Sequence, residues 1–477
     1  MAKRIIDCIY ENRKLEKCAV KQGERSITYA ELWKRSLALA DKLRTYTTQC
    51  VAINMPNSIE YVISYFAILL CEKTVVPIGA VLSEEEVREI LDNTKADILI
   101  TVKEKQIKEV NCIVWEELEC ENSILEFDSA GYRLSEVAVI FPTSGTTSKS
   151  KYVQLSNENL MQNVEDIMKI HNMSREKNMW DNELVVLPLT ASFCNTTQLL
   201  VCMYCGMTIT LLEGRLAIPK ILQVMEADSI TYCEMTPTLL NVFALYYSRR
   251  ATAKSTLKRI SCGGETIGKQ ELKKVQELMP NVEVYLGYGL TEAGPVVATQ
   301  SATDYLTAGN SVGKLLESFE IRFSELDSQG DYPKGTGEIQ IKGPCIMKGY
   351  LNEETPSVVD GWLSTGDIGY RNEEGNIFIL GRKKNIIISG GRNINAEEIE
   401  DALRKKDEIE DARVYGEKSE LYGEIVVADV ILKKNCNIAE EDIIHHCKTL
   451  VAEYKLPKKI NFVNVIKRNS SGKIVRY

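Results

Sequence analysis

The chain has 477 residues, 44% hydrophobic and 26% charged, proportions of a folded globular protein that exclude collagen-like, mucin-like and wholly disordered chains. Lysine and arginine total 58 against 67 aspartates and glutamates, a formal net charge of −9 that repels polyanions and sets a nucleic-acid role aside. At ~150 residues per domain, the length corresponds to roughly three domain-sized units, or to one large unit and one small one.

The N-terminus, Met1-Ala2-Lys3-Arg4-Ile5-Ile6-Asp7, breaks its apolar run with charge, so no secretory signal is expected and the protein is placed in the cytoplasm. No run reaches the ~18 apolar residues of a membrane-spanning helix; the nearest, around Tyr61 to Cys71, is too short. Thr28-Tyr29-Ala30-Glu31 reads as a capping box opening a helix with Leu32, Leu37, Leu39 and Leu43, and Ser83-Glu84-Glu85-Glu86 opens another. Short apolar runs between and after them predict buried strands at Val51–Asn54, Thr74–Pro77, Asp97–Ile100 and Val137–Ile140. Further strands are predicted at Leu184–Leu187, Thr208–Leu211 and Ile230–Cys233, with a helix over Ile218–Ala227. Helices alternating with buried strands imply an α/β architecture with largely parallel sheets. After about Glu338 the strands become short and turn-bounded, as in the hairpin Tyr370–Ile379 with its Gly375-Asn376 tip. Beyond Gly381 the pattern is strand, helix (Ala396–Lys405), strand (Glu424–Leu432), helix (Glu440–Val451), strand (Ile460–Val465), a compact α+β unit. A large domain over residues 1–381 and a small mobile one over 382–477 are expected.

Fourteen cysteines without framework spacing are expected to be reduced thiols, and Cys202-Met203-Tyr204-Cys205, inside an apolar run, is expected to be core. His445-His446-Cys447 lacks the partner cluster of a metal site.

Two segments concentrate chemistry. Phe141-Pro142-Thr143-Ser144-Gly145-Thr146-Thr147-Ser148-Lys149-Ser150-Lys151 follows a buried strand and combines hydroxyls, a glycine and lysines, the means of wrapping a phosphate. It does not match G-x-x-x-x-G-K-[ST], and a solvated Ser/Thr turn has the same composition. Tyr285-Leu286-Gly287-Tyr288-Gly289-Leu290-Thr291-Glu292 starts as a strand and ends in a glycine-punctuated turn that offers an aromatic face and one carboxylate. Such a turn also occurs where nothing binds.

Together these segments resemble the signatures of the adenylate-forming superfamily of acyl-CoA and aryl-CoA synthetases, peptide-synthetase adenylation domains and luciferases. Further resemblances follow in order at Gly361-Trp362-Leu363-Ser364-Thr365-Gly366-Asp367, Gly381-Arg382-Lys383-Lys384, Ser389-Gly390-Gly391-Arg392-Asn393-Ile394 and Asn469-Ser470-Ser471-Gly472-Lys473. The resemblance implies that Thr143, Ser144, Gly145, Thr146, Thr147 and Lys151 close over the ATP phosphates. Tyr288 would stand beside adenine and the backbone of Gly264 and Glu265 on its other side, with Gly287, Gly289 and Thr291 also in the ATP/AMP-binding set. Asp367, reinforced by Arg382, would accept the ribose hydroxyls, an acceptor-only role. Glu292 would hold Mg²⁺. Lys473 would reach between the attacking carboxylate and the α-phosphate, where its ammonium offsets charge as pyrophosphate leaves. Lys384 would be the hinge about which the small domain turns, and Gly390 and Gly391 would line the pantetheine tunnel. The acyl pocket would draw on Ala191, Ser192, Phe193, Cys194, Glu234, Gly287 and Val296.

The chain departs from the family pattern at Ser148, Ser150 and Tyr152 in the phosphate loop, at Thr190-Ala191, where many relatives carry Phe-His, and at Asn385 and Lys467. Ser192 to Thr197 holds no acid of the kind amino-acid-activating relatives use, which disfavours amino acids, although Glu234 could supply that charge from another direction. The reading is therefore ATP-dependent activation of a small carboxylic acid to an acyl-adenylate, then thioester formation with CoA. One alternative is a freestanding adenylation enzyme that loads phosphopantetheine on a carrier protein. Another is a non-catalytic nucleotide-binding scaffold.

Overall fold

The computed structural model describes residues 4–103, 107, 110–115, 127, 132–143, 151–212, 217–250, 256–264, 267–325, 333–353, 356–389, 392–419, 422–434, 436–468 and 474. The chain forms two compact units, one from residues 1–143, 151–320 and 342–362, the other including residues 321–341 and 363–477.

The first unit contains two sheets. The nine-stranded sheet runs in the order Lys314–Leu315, Val296–Ser301, Glu283–Gly289, Arg259–Gly263, Tyr232–Met235, Asn182–Val185, Thr208–Leu211, Cys18–Gln22, Arg25–Thr28. Its centre is parallel and its edges are antiparallel hairpins. The seven-stranded sheet has a parallel centre of Val139–Thr143, Thr74–Pro77, Cys50–Asn54, Ala96–Thr101 and Asn111–Val114, extended antiparallel by Lys151–Leu155 and Gly349–Tyr350. The α/β architecture expected from the alternating pattern is present.

Helix Tyr29–Leu43 starts with the Thr28/Glu31 capping box and helix Glu84–Thr94 with the Ser83/Glu86 box, each satisfying two otherwise orphaned N–H groups. Helix Ile59–Leu70 is buried on every side and packs on strands of both sheets, which explains why its sequence is apolar all round instead of striped. On the nine-stranded sheet, helices Ile218–Ala227, Pro237–Arg250 and Lys269–Leu278 cover the face bearing Leu184, Cys233, Met235, Ile260, Cys262, Val284 and Leu286. Period-2 alternation assigns Glu183, Tyr232, Glu234, Arg259, Ser261, Tyr285 and Gly287 to the opposite face.

In the second unit, strands Trp362–Arg371 and Ile377–Arg382 form the expected hairpin, its turn closed by the Asn372 N–H donating to the Asn376 carbonyl. Further on, Arg392–Asn395, Ile386–Ser389, Gly423–Leu432 and Ile409–Ser419 make one antiparallel sheet, with Lys459–Phe462 added parallel to Gly423–Leu432. Helices Ala396–Arg404 and Glu440–Lys448 bury Ile399, Leu403, Ile443 and Cys447 in its core. The strand Ile409–Ser419 is an addition to the sequence-based order.

Candidate active site

Strand Val139–Thr143 and strand Lys151–Leu155 pair antiparallel, placing Thr143 opposite Lys151; the Thr143 hydroxyl donates to the Lys151 carbonyl at 3.2 Å. The base of the predicted phosphate loop is thereby fixed, while Ser144, Gly145, Thr146 and Thr147 lie outside the described residues. The Lys151 ammonium stands 4.1 Å from the ring centre of Tyr350, whose hydroxyl donates to Glu292 Oε1 at 2.6 Å. Lys151, Tyr350 and Glu292 thus form a continuous cluster, with Tyr350 a member that no motif indicated.

Glu292 sits in the 3₁₀ turn Thr291–Ala293, its carbonyl accepting from the Met347 N–H at 2.9 Å. The turn leaves strand Glu283–Gly289 abruptly. At Gly289 a β-carbon would stand 1.9 Å from the Pro295 carbonyl oxygen, so only glycine permits this return of the backbone. Gly264, at φ +91°, ends the neighbouring strand in a conformation suited to glycine; Glu265 beyond it lies outside the described residues. Tyr288 is half-buried and paired with Ala298. One Glu292 oxygen has no partner among the described residues, where no group of three or more potential metal ligands occurs either. A single available carboxylate suits Mg²⁺, which keeps water and phosphate oxygens in most of its positions.

The Thr291 hydroxyl lies 2.8 Å from Ser192 Oγ and so joins the Glu292 turn to the segment predicted to carry the acyl pocket. Ser192–Cys194 opens a helix that widens into a π-helical turn, Asn195–Leu200, before Val201–Cys205. Tyr65, from the buried helix Ile59–Leu70, donates to Asn195 Oδ1 at 2.9 Å and pins the wide turn, a geometry common at functional sites. Helix Asn157–Ile170 faces this turn and holds Val296 by two hydrogen bonds, from Asn163 Nδ2 to the Val296 carbonyl and from the Val296 N–H to Asn163 Oδ1.

Between these helices and the free face of the nine-stranded sheet lies a cavity that opens to solvent. Of the residues expected in the acyl pocket, Phe193, Glu234, Gly287 and Val296 line it, whereas Ala191, Ser192 and Cys194 do not. Its walls also include Glu183, Thr197, Tyr232, Arg259 and His171, none of them named by a family motif. Burial pushes the Glu183 carboxyl up to about 8 and raises that of Glu234 well above the usual carboxylate range, the second also by the field of the first. His171, desolvated and beside the Arg259 guanidinium, is lowered to about 3 and is neutral at ordinary pH.

These shifts have opposite effects on stability. Between pH 4.5 and about 8 the folded carboxyls hold protons that the unfolded chain has released, so their contribution falls as pH rises. Neutral His171 works the other way between about 3 and 6.5, and above 6.5 only the carboxyl contribution remains of the two. Urea unfolding between pH 6.5 and 8 is expected to show a decline approaching about 1.4 kcal/mol per pH unit for each proton held, and Glu183→Gln to flatten it. Parallel profiles for the two proteins would contradict the assignment.

In the second unit, Asp367 and Arg382 are cross-strand partners, and Arg382 Nε lies 2.6 Å from Asp367 Oδ1. Asp367 is only 3% exposed, and its N–H donates to Thr365 Oγ1, which itself donates to the Ile339 carbonyl. Lys384 occupies the 3₁₀ turn Lys383–Asn385 between two strands. Gly390, Gly391 and Lys473 lie outside the described residues.

The family model for AMP-binding enzymes matches residues 10–351, and that for the AMP-binding enzyme C-terminal domain matches residues 398–473. The chain belongs to the AMP-binding enzyme family. A 2-succinylbenzoate–CoA ligase of Bacillus cytotoxicus is 30% identical over 474 residues, covering 97% of this chain and 95% of that one. Among solved structures, o-succinylbenzoate CoA synthetase from Bacillus subtilis in complex with its acyl-adenylate intermediate superimposes with a TM-score of 0.87 at 28% identity, covering 98% of this chain and 97% of that one. The same synthetase with ATP and magnesium gives 0.86 at 27%, covering 98% of each. As a member of this family, the chain is an AMP-forming carboxylate–CoA ligase that activates its acid with ATP as an acyl-adenylate, releases pyrophosphate and forms the CoA thioester.

Proposed function

We propose that this ligase acts on a small acid seated in the cavity beneath Gly287 and Val296, with the reacting carboxylate at the end nearest Thr291 and Glu292. The observation that carries this reading is the Ser192–Thr291 contact, which ties the residue preceding the wall residue Phe193 to the turn bearing the proposed metal carboxylate within one unit. Lys151 and the hydroxyls from Thr143 onward take the ATP phosphates, and Gly264 with Tyr288 take the base. Asp367, held by Arg382, accepts the ribose hydroxyls. Glu292 holds Mg²⁺, which neutralises phosphate charge when bound.

The acid arrives already ionised, so no general base is needed; the chain's task is to orient it and to offset the repulsion between two anions. Lys473 does the second of these. Turning of the segment beyond Lys384, which acts as hinge, then allows the lysine to give way to the thiol, and Gly390 and Gly391 leave room for its slender pantetheine arm. No described helix is long and apolar enough to cross a membrane.

Incubating the full chain with ATP, Mg²⁺, CoA and a panel of carboxylic acids is expected to yield AMP and an acyl-CoA of matching mass, both dependent on the acid. Pyrophosphate release with no CoA thioester would replace CoA by a carrier protein as acceptor. Absence of acid-dependent ATP–pyrophosphate exchange throughout would favour a nucleotide-binding scaffold.

A further inference from the structure

The cavity carries an unusual excess of hydrogen-bond acceptors. Glu183 and Glu234 both line it and are 5% and 6% exposed. Strand register explains how they meet: Glu183 pairs with Tyr232 across two parallel strands, and Glu234 is two residues further along on the same face. Each carboxyl has one engaged oxygen. Gln198 Nε2 donates to Glu183 Oε1 at 2.6 Å, and Glu234 Oε2 lies 2.6 Å from Thr197 Oγ1. The remaining oxygen of each has no partner among the described residues. Beside Glu183, the buried Gln198 Oε1 is also without a partner.

Hydrogen counting adds a constraint. Thr197 Oγ1 is 2.6 Å from the Phe193 carbonyl as well as from Glu234 Oε2, and one hydroxyl hydrogen serves only one of these acceptors. The Thr197 hydroxyl therefore leaves one of its two acceptors unserved, and burial favours the neutral form of the Glu234 carboxyl.

Other charged and titratable groups facing the pair do not relieve it. Arg259, the cation on the cavity wall, is 3.0 Å from Glu283 and stacks on Tyr285. His171 is neutral, and its Nδ1 has no partner among the described residues. Tyr232 accepts from Asn178, and the neighbouring thiols of Cys194, Cys202 and Cys233 are raised by burial and stay neutral. Among the described residues no cation is bonded to either carboxyl, since Arg259, the cation on the wall, is paired with Glu283. A second carboxylate on the substrate would instead face two buried carboxyls.

We infer that the acid activated by this ligase carries a protonated amino group at the end remote from its reacting carboxylate, and that Glu234 and Glu183 are the residues that select it. The inference rests on the proposed acyl cavity and names its substrate class. Strand Glu283–Gly289 leads from the cavity into the Glu292 turn, and its Gly287 pairs with Gly263. Glu234 stands opposite Ser261, one side-chain row deeper, about 7 Å at two residues of strand rise. An α-ammonium does not span that row, whereas the nitrogen of an ω-amino acid does. On binding, the ammonium takes the place of the carboxyl protons of Glu183 and Glu234, which leave to solvent, and the two carboxylates with Gln198 accept its N–H groups.

The test compares pyrophosphate release by the full chain with 4-aminobutanoate, 5-aminopentanoate and 6-aminohexanoate against pentanoate, hexanoate and heptanoate, and against 2-succinylbenzoate. For the best-fitting length, kcat/KM is expected to favour the amino acid by about 100-fold over the uncharged chain, as for a site whose buried polar groups go unpaired with the analogue. Glu234→Gln and Glu183→Gln are each expected to cut that ratio at least about 10-fold. Calorimetric titration of the amino acid in two buffers of different ionisation enthalpy is expected to show proton release on binding, diminished in both variants. Preference for an alkanoate or for 2-succinylbenzoate, or an amine preference unchanged in both variants, would overturn the inference while leaving the ligase reading in place. If no acid supports pyrophosphate release, the ligase reading fails, and the calorimetric proton release still decides between an amine site and none.

Discussion

Replacing Lys473 by glutamine is expected to slow acyl-adenylate formation by about 10²–10³-fold, the loss typical of removing one preorganised group aimed at developing charge. Transfer of the acyl group from supplied adenylate to CoA is expected to proceed at its usual rate. The asymmetry follows from where the electrostatic difficulty lies. In the first half-reaction a carboxylate must approach a phosphate, and two unit charges 4 Å apart repel by about 1 kcal/mol in water and about 4 kcal/mol at an effective dielectric of 20. In the second half-reaction a thiol attacks a mixed anhydride whose carboxyl charge is already gone. Lysine at this position belongs to the segment matched by the C-terminal family model. Normal transfer from supplied adenylate would show that the variant is folded, and Lys473→Arg tests whether charge alone suffices, since a planar guanidinium does not reproduce a compact ammonium. Acid-dependent ATP–pyrophosphate exchange reads the first step and thioester formation from synthetic adenylate reads the second. Unchanged exchange in the glutamine variant would remove the lysine from its proposed role.

Local signals in the sequence announced those elements whose stability is local. The Thr28 and Ser83 capping boxes start helices where expected, because each places both reciprocal partners within three residues. Strand Thr74–Pro77 is buried at every position, and its uninterrupted apolar run says so. Strand Ile409–Ser419 was missed because Glu410, Asp411, Arg413, Glu417 and Lys418 interrupt its pattern; only Ile409, Ala412 and Val414 turn into the core. Motif resemblance singled out Glu292, Asp367 and the loop between Thr143 and Lys151. It did not locate Glu183, since the strand begins at Asn182, two residues before the expected start, and its neighbour Tyr232 comes from a strand far along the chain. Nor did it locate Tyr350, which meets Glu292 across 58 residues. Pairings of this kind are properties of sheet order, and a single sequence carries no spacing that encodes them.

Glu292→Gln is expected to lower kcat/KM for ATP by about 10²-fold or more and to raise the Mg²⁺ concentration needed for half-maximal rate. Glutamine keeps the shape and can still accept from the Tyr350 hydroxyl through its amide oxygen, so the 3₁₀ turn, held by the Met347 N–H on the Glu292 carbonyl, is retained. What is lost is one negative charge beside the triphosphate, which a divalent cation with few protein ligands cannot replace. Tyr350→Phe separates the two functions of the cluster. It removes the hydrogen bond to Glu292 Oε1 but leaves the ring beneath Lys151, so the cation–π contact persists while the carboxylate gains rotational freedom. A loss of about 3- to 10-fold is expected for that variant, as for removal of an outer partner that orients a ligand. Tyr350→Leu should add a further loss in apparent ATP affinity by freeing Lys151 as well. Titrating Mg²⁺ at saturating ATP, and ATP at saturating Mg²⁺, distinguishes these outcomes. A Glu292→Gln enzyme with unaltered Mg²⁺ dependence would assign the metal to another carboxylate and leave Glu292 as the partner of Tyr350 alone.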